Sequence, residues 1–227
     1  MEIQYKFKLD GGEEYAFLVD TQRGSEESLN TTNFPFWTKL DFHKCINCPL
    51  SETEHDFCPA ALDAKRITET FKQMVSTESV TVEVSTPDRT YVKQTDSQTG
   101  LRALFGLVMA TSGCPVLGRF RGMANTHLPF ATMEETILRV VGSYLIQQYQ
   151  QYIRNMDGEQ PDWKLDGLNA FYAELQEVNR CFKGRIDAAS EKDANMNALG
   201  SLVYLAMGVS FSLEDQLSDL REMVFGS

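Results

Sequence analysis

The chain has 227 residues, enough to bury a sizeable core without disulfide support. Its 21 lysines and arginines against 32 aspartates and glutamates give a net charge of −11, which repels phosphate backbones and disfavours nucleic-acid binding. The longest apolar run, residues 199–211, is too short to predict a membrane span, and no secretory signal opens the sequence, so we expect a cytoplasmic protein.

The N-terminal residues predict a β-hairpin. Residues 2–9 alternate polar and apolar side chains, as a strand with one buried face does. Gly11 and Gly12 supply the positive φ angles of a tight turn, and a second strand is predicted at 15–19. A further short strand is expected to end near Phe42.

A helix and a second hairpin are predicted next. Pro59 suits the first turn of a helix, and apolar residues recur at helical spacing over 60–75. Runs rich in β-branched residues at 80–84 and 90–93 flank a Thr-Pro-Asp turn and predict two strands. A helix is then predicted at 98–112 and a loop at 118–129.

The remaining residues predict an antiparallel helical bundle. Thr132 and Glu135 have the spacing of a capping box at the start of a long helix. Helical periods recur in three later stretches, 168–186, 190–206 and 213–224. The predicted fold class is therefore α+β. We place the boundary near Ala131, between an α+β part at 1–131 and a bundle at 132–227.

The cysteines predict a metal site. In a reducing compartment, an odd set of five cysteines indicates ligands, core residues or reactive thiols before disulfides. Cys45 and Cys48 have the CxxC spacing of a metal-binding knuckle, and Cys58 follows at the predicted start of a helix. Three of the five cysteines precede a proline, a feature that recurs around iron–sulfur and structural zinc ligands. The predicted ligands are Cys45, Cys48, Cys58 and Cys114.

Several alternatives remain open at this site. The fourth ligand is Cys114, His55 or His43, and we favour Cys114 because it lies in a Cys-Pro loop that packing alone does not need. Zinc is preferred because four closed protein ligands describe a structural zinc site without redox chemistry. A 4Fe–4S cluster on the same cysteines is the alternative, and small buried thiols without a metal are another. Cys181 falls on an apolar helix face and is interpreted as a core thiol.

The enzyme motifs are absent, which favours a non-enzymatic protein. There is no P-loop, GxGxxG, GxSxG or HExxH pattern. A separate hypothesis is a small-ligand binder or enzyme with an anion pocket formed by Arg119, Arg121 and His127, which requires these three to converge. The leading prediction is a metal-stabilised structural or protein-interaction protein that forms homo-oligomers through its bundle or its C-terminal helix.

Four short motifs stand out along the chain: Cys45-Ile-Asn-Cys48-Pro-Leu, Cys58-Pro-Ala-Ala, Pro161-Asp-Trp163 and Asp193-Ala-Asn195-Met-Asn197-Ala-Leu. In combination they resemble a functionally uncharacterised family of bacterial cytoplasmic proteins, and the resemblance spans most of the chain. It implies a bacterial, cytoplasmic protein. It implies no activity and no ligand residues.

Overall fold

The computed structural model describes residues 1–22, 34–154, 160–210, 217 and 221–226. Its two antiparallel hairpins join into one four-stranded sheet with the order β2-β1-β3-β4. The strands are β1 (Glu2–Leu9), β2 (Glu14–Asp20), β3 (Ser79–Ser85) and β4 (Thr90–Asp96). The first hairpin, predicted from alternating side chains and a glycine turn, is therefore confirmed, and so is the second, predicted from β-branched runs around a Thr-Pro-Asp turn.

The other regular elements of the described structure are helices, which confirms the α+β class. They are α1 (Pro59–Thr70), α2 (Ser97–Thr111), α3 (Arg121–Asn125), α4 (Met133–Arg154), α5 (Asp166–Ala189), α6 (Ala194–Ser210) and α7 (Arg221–Phe225). The capping box before α4 is present: the Thr132 amide donates to Glu135 Oε2 at 2.8 Å, and the Glu135 amide donates to Thr132 Oγ1 at 3.2 Å. Most of the predicted C-terminal helix lies outside the described residues. No helix in the described ranges is long and apolar enough to cross a membrane.

Two local predictions were wrong. The segment expected to be a strand ending near Phe42 instead contains a 3₁₀ turn at Phe36–Thr38. Pro35 starts this turn, because its carbonyl accepts from both the amide and the hydroxyl of Thr38. The expected loop at 118–129 contains α3 and the end of a second 3₁₀ turn at Leu117–Phe120. Its glycines, Gly118 and Gly122, lie within these helical turns and not at positive φ.

The sheet packs against α2 at unusually close range. A Cβ added at Gly100 would lie 2.7 Å from Val82 Cγ2 and 2.8 Å from Phe7 Cε1, so only glycine fits there. On its other sides α2 contacts α1 and α6, and α6 packs along α5. The cluster of buried side chains includes residues that precede Ala131 in the sequence and residues that follow it. The division into two parts at that residue stays a prediction.

Candidate metal centre

The four cysteines predicted as ligands line one small cavity. They are Cys45, Cys48, Cys58 and Cys114, and they come from three segments: the loop before residue 50, the start of α1 and the turn after α2. The cavity has a volume of about 20 Å³, which is room for one atom of about the size of a water molecule. The fold therefore gathers thiols that are distant in sequence around a space of single-ion size.

The CxxC loop is closed on itself and tied to α5. The Cys48 amide donates to the Cys45 carbonyl at 3.0 Å, which closes a tight turn. Asn47 Nδ2 donates to the Glu174 carbonyl of α5 at 3.0 Å. Ile46 forms the exposed tip, while both thiols are half-buried and line the cavity. The loop thus places both thiols in the cavity wall and is held to α5 by the Asn47 side chain.

Cys58 occupies the N-cap position of α1. Pro59 follows it as the first helical residue, and the Cys58 amide donates to the Thr38 carbonyl at 2.8 Å. Burial raises the pKa of the Cys58 thiol, while the charge of Arg185 and the amides of Ala61 and Ala60 oppose that shift. These groups would stabilise a thiolate at this position once its proton is removed.

Cys114 is held in a similar way at the turn after α2. Its carbonyl accepts from the Gly118 amide at 2.8 Å, so the Cys-Pro step begins a turn. Burial raises the pKa of the Cys114 thiol, and the amides of Leu117 and Val116 act in the opposite direction. Two of the Cys-Pro steps therefore place a thiol against the first amides of a turn or helix, which proline at the next position allows.

Protons would have to leave these thiols for a metal to bind. Burial is the largest cause of the raised pKa of Cys45, and nearby cysteines, Cys181 first among them, add to it. The thiols of Cys45, Cys58 and Cys114 are therefore neutral at pH 7, and metal binding would release protons. Within the described ranges, no three His, Cys, Asp or Glu side chains already stand at metal-ligand geometry. Binding would thus require the thiols to turn inward from the cavity wall.

A buried arginine completes the wall of this cavity, and the sequence analysis missed it. Arg185 of α5 is 1% exposed. Its guanidinium donates to the carbonyls of Trp37 and Leu40, each at 2.9 Å, and to the carbonyl of Lys39. All three acceptors are neutral, and no carboxylate of the described residues pairs with the guanidinium, so among these residues its positive charge is buried without a counter-ion. The available signal was its spacing, since Arg185 follows Val178 and Phe182 on the apolar face of the helix.

The other candidate ligands lie outside the cavity. His43 and His55 are both exposed and do not line it, whereas Cys114 does. The His43 ring packs against α5 at Gly184, which has no side chain. A Cβ added at Gly184 would lie only 2.9 Å from His43 Nδ1. Cys181 is buried, and its Sγ donates to Glu177 Oε1 at 3.2 Å. It does not line the cavity, although it lies close enough to Cys45 to raise the pKa of that thiol.

The anion pocket considered from the sequence is not formed. Arg119 stacks over the Phe171 ring at 3.8 Å and pairs with Glu174 at 2.8 Å. Arg121 donates to the Thr111 carbonyl at 3.2 Å. His127 lines a different cavity, which neither arginine lines. These three side chains are therefore held by separate partners, and the hypothesis that they converge was wrong.

One protein-family model covers nearly the whole chain. The model of a domain of unknown function, DUF6901, matches residues 3–225. The chain belongs to this family. No curated protein and no solved structure shows detectable similarity to it. DUF6901 has no assigned activity, in agreement with the uncharacterised family indicated by the sequence motifs, and the functional argument therefore depends on the site itself.

Proposed function

We propose that this DUF6901 protein is a non-enzymatic bacterial cytoplasmic protein whose fold is stabilised by one zinc ion and which acts through protein contacts, including self-association. The proposed ligands are Cys45, Cys48, Cys58 and Cys114. One observation carries the proposal: thiols from three separate segments line a single cavity of about 20 Å³ beside a buried arginine.

The chemistry of zinc suits this donor set. Zinc prefers four ligands in a tetrahedron, with sulfur at about 2.3 Å, and a closed set of four cysteines leaves no position for a substrate. Four thiolates around one Zn²⁺ carry a net charge of −2, and the buried charge of Arg185 offsets part of it. The ion would tie the CxxC loop, α1 and the turn after α2 together against α5, so metal binding would contribute to folding.

An iron–sulfur redox or sensor protein is the alternative function, with the same cysteines as ligands. The Cys-Pro steps are consistent with it, because such steps also occur around iron–sulfur cysteines. The size of the cavity favours zinc, since a 4Fe–4S cluster has eight atoms and about 20 Å³ suits one. A cluster would require the surrounding segments to move apart.

Metal analysis separates these possibilities. Protein purified anaerobically without added metal is expected to contain about one zinc per chain and to be colourless. Elemental analysis and a visible spectrum on the same sample measure both quantities. Iron with sulfide and broad visible absorbance would contradict zinc and favour the cluster. A sample that contains no metal, and that takes up none from added zinc, would contradict both.

An exposed apolar stripe on α4 supports the self-association part of the proposal. Leu138, Ile146, Tyr149 and Ile153 are 41%, 61%, 57% and 46% exposed, and their spacing places them on one face of the helix. Gly142 lies on the same face, with nothing within 4 Å of an added Cβ. A small residue in such a stripe permits close approach of a second helix, and association would bury side chains that a monomer leaves in water.

Light scattering coupled to size-exclusion chromatography tests this interface. We expect the protein to elute as a homo-oligomer, and we expect Ile146→Glu to convert it to a monomer because a buried carboxylate opposes association. Gln147→Glu is the matched control, since it adds the same charge at the neighbouring exposed position, and it should leave the oligomer unchanged. A monomeric parent protein at all concentrations would contradict self-association.

A further inference from the structure

A second cavity lies among the helices and is independent of the cysteines. Its volume is about 210 Å³, and its walls are contributed by α2, α3, α4, α5 and α6 together with neighbouring turns. The lining is largely apolar and includes Leu107, Val140, Leu175, Leu202 and Val209. It has no lining residue in common with the cysteine cavity. A dry cavity of about 150 Å³ binds benzene, so this one has room for a somewhat larger hydrocarbon.

The charged residues that line this cavity are all basic. In a chain with 32 acidic residues, no aspartate or glutamate of the described ranges lines it, whereas Arg102 and Arg139 do. The cavity is thus a positively charged, apolar site within an acidic protein. Such a site favours a guest with an apolar body and a negative group.

The two arginines differ in what they already bind. The Arg139 guanidinium donates to the carbonyls of Met123 and Thr126, at 3.1 and 2.6 Å, and so holds the α3 segment at the edge of the cavity. Arg102 is half-buried and makes no hydrogen bond or ion pair with the described residues. Burial lowers the pKa of Arg102, and the negative charge of Asp96 opposes that shift without a hydrogen bond between the two side chains. Its planar set of five N–H donors is therefore available to a ligand.

Arg102 also marks the entrance. It lines both this cavity and a wider, more open one of about 620 Å³ on the adjoining surface, and Phe130, Ala131 and Leu205 do the same. A ligand that enters from the wider space would pass its apolar end inward and leave its polar end beside the guanidinium. That orientation follows from the positions of the apolar wall and the charge.

The remaining ionisable groups of the cavity are uncharged at neutral pH. His127 pairs through Nε2 with the hydroxyl of Tyr5, which is fully buried in β1. Burial and then the charge of Arg139 lower the pKa of His127 to about 3, so the ring is neutral. Burial raises the pKa of Tyr172, so its phenol keeps its proton. Neither group competes with a carboxylate for the arginine.

We infer that this cavity binds a small amphipathic carboxylate, with its hydrocarbon part in the apolar chamber and its carboxylate paired with Arg102. The pairing suits the two planar groups, since a guanidinium donates two parallel hydrogen bonds to a carboxylate. By comparison with benzene, whose six carbons occupy a cavity of about 150 Å³, the chamber of about 210 Å³ holds roughly eight non-hydrogen atoms. The hydrocarbon chain of octanoate fits within this limit when its carboxylate lies at the entrance, so octanoate serves as the probe.

Titration calorimetry with octanoate and with 1-octanol tests the inference on the full chain. We expect octanoate to bind at least tenfold more tightly than the uncharged alcohol. We expect Arg102→Gln to reduce octanoate affinity at least tenfold, to the level of the alcohol. The matched control is Arg89→Gln, which removes an exposed arginine from the β3–β4 turn and should not change either affinity.

The comparison of the two probes in the parent protein does not depend on any variant folding. Equal affinity for octanoate and octanol would overturn the pairing with Arg102. The absence of octanoate binding would overturn the whole inference. Thermal unfolding of Arg102→Gln checks that it is folded, and unchanged octanoate affinity in a folded variant would also contradict the assignment. None of these outcomes depends on the metal content.

Discussion

Replacing Cys48 by serine is expected to abolish stoichiometric zinc binding and to lower the free energy of unfolding by at least about 3 kcal/mol. Cys48 belongs to the closed CxxC turn, and its thiol lines the cavity together with three other cysteines. Structural zinc supplies roughly 10–16 kcal/mol to zinc-finger peptides, so the loss of one ligand should remove a sizeable share. Zinc content by elemental analysis and denaturant unfolding of the purified variant measure the two effects.

Cys181→Ser is the matched control for this substitution. Cys181 is also buried and lies near Cys45, but it does not line the cavity. Its replacement should retain one zinc per chain and should change stability far less. A folded Cys48→Ser protein with unchanged metal content would count against the proposed ligand set, and so would loss of zinc in Cys181→Ser alone.

Replacing Arg185 by glutamine is expected to lower the free energy of unfolding by about 3–5 kcal/mol. The arginine is 1% exposed, and its guanidinium holds the carbonyls of Trp37, Lys39 and Leu40 together. The shorter amide cannot reach all three, so buried carbonyls would lose their donors and a cavity would remain. Chemical denaturation of the parent and the variant measures the difference.

A second readout separates the electrostatic role of Arg185 from its structural role. If its charge offsets the thiolates, Arg185→Gln should bind zinc more weakly in competition with a chelator, even under conditions in which the variant is folded. For the stability measurement, Arg180→Gln is the control on the same helix, because the Arg180 side chain is 69% exposed and pairs with Glu177 of the preceding helical turn. It should leave the free energy of unfolding almost unchanged. Unchanged zinc affinity in a folded Arg185→Gln protein would leave the arginine a purely structural role.

The elements that the sequence predicted well are those with a strong local pattern. The alternation in β1, the helical spacing along α5 and the reciprocal Thr132–Glu135 cap each involve residues that are close in the chain. The segments at 36–42 and 118–129 were predicted wrongly because their short turns depend on individual backbone hydrogen bonds. Gly118 and Gly122 illustrate this, since glycine is compatible with a loop and with a helical turn alike.

The cysteine spacing was sufficient to nominate the metal ligands, because CxxC and Cys-Pro steps are local features with a known chemical use. That Cys114 lies with them, while His43 and His55 do not, depends on how α2 and α5 pack, which no spacing in the chain reports. The same holds for Arg185, whose burial is set by carbonyls about 145 residues earlier in the chain.

The sequence by itself thus determined the fold class, the main strands and helices, and four candidate thiols. Periodicity and motif spacing act over a few residues, and elementary physical chemistry is enough to interpret them. Only the tertiary structure decided which of those residues share a cavity, that a buried arginine faces them, and that Arg102 borders a second, apolar chamber. Cavities are spaces left between elements that are distant along the chain, so their shape and lining follow from packing and not from local pattern.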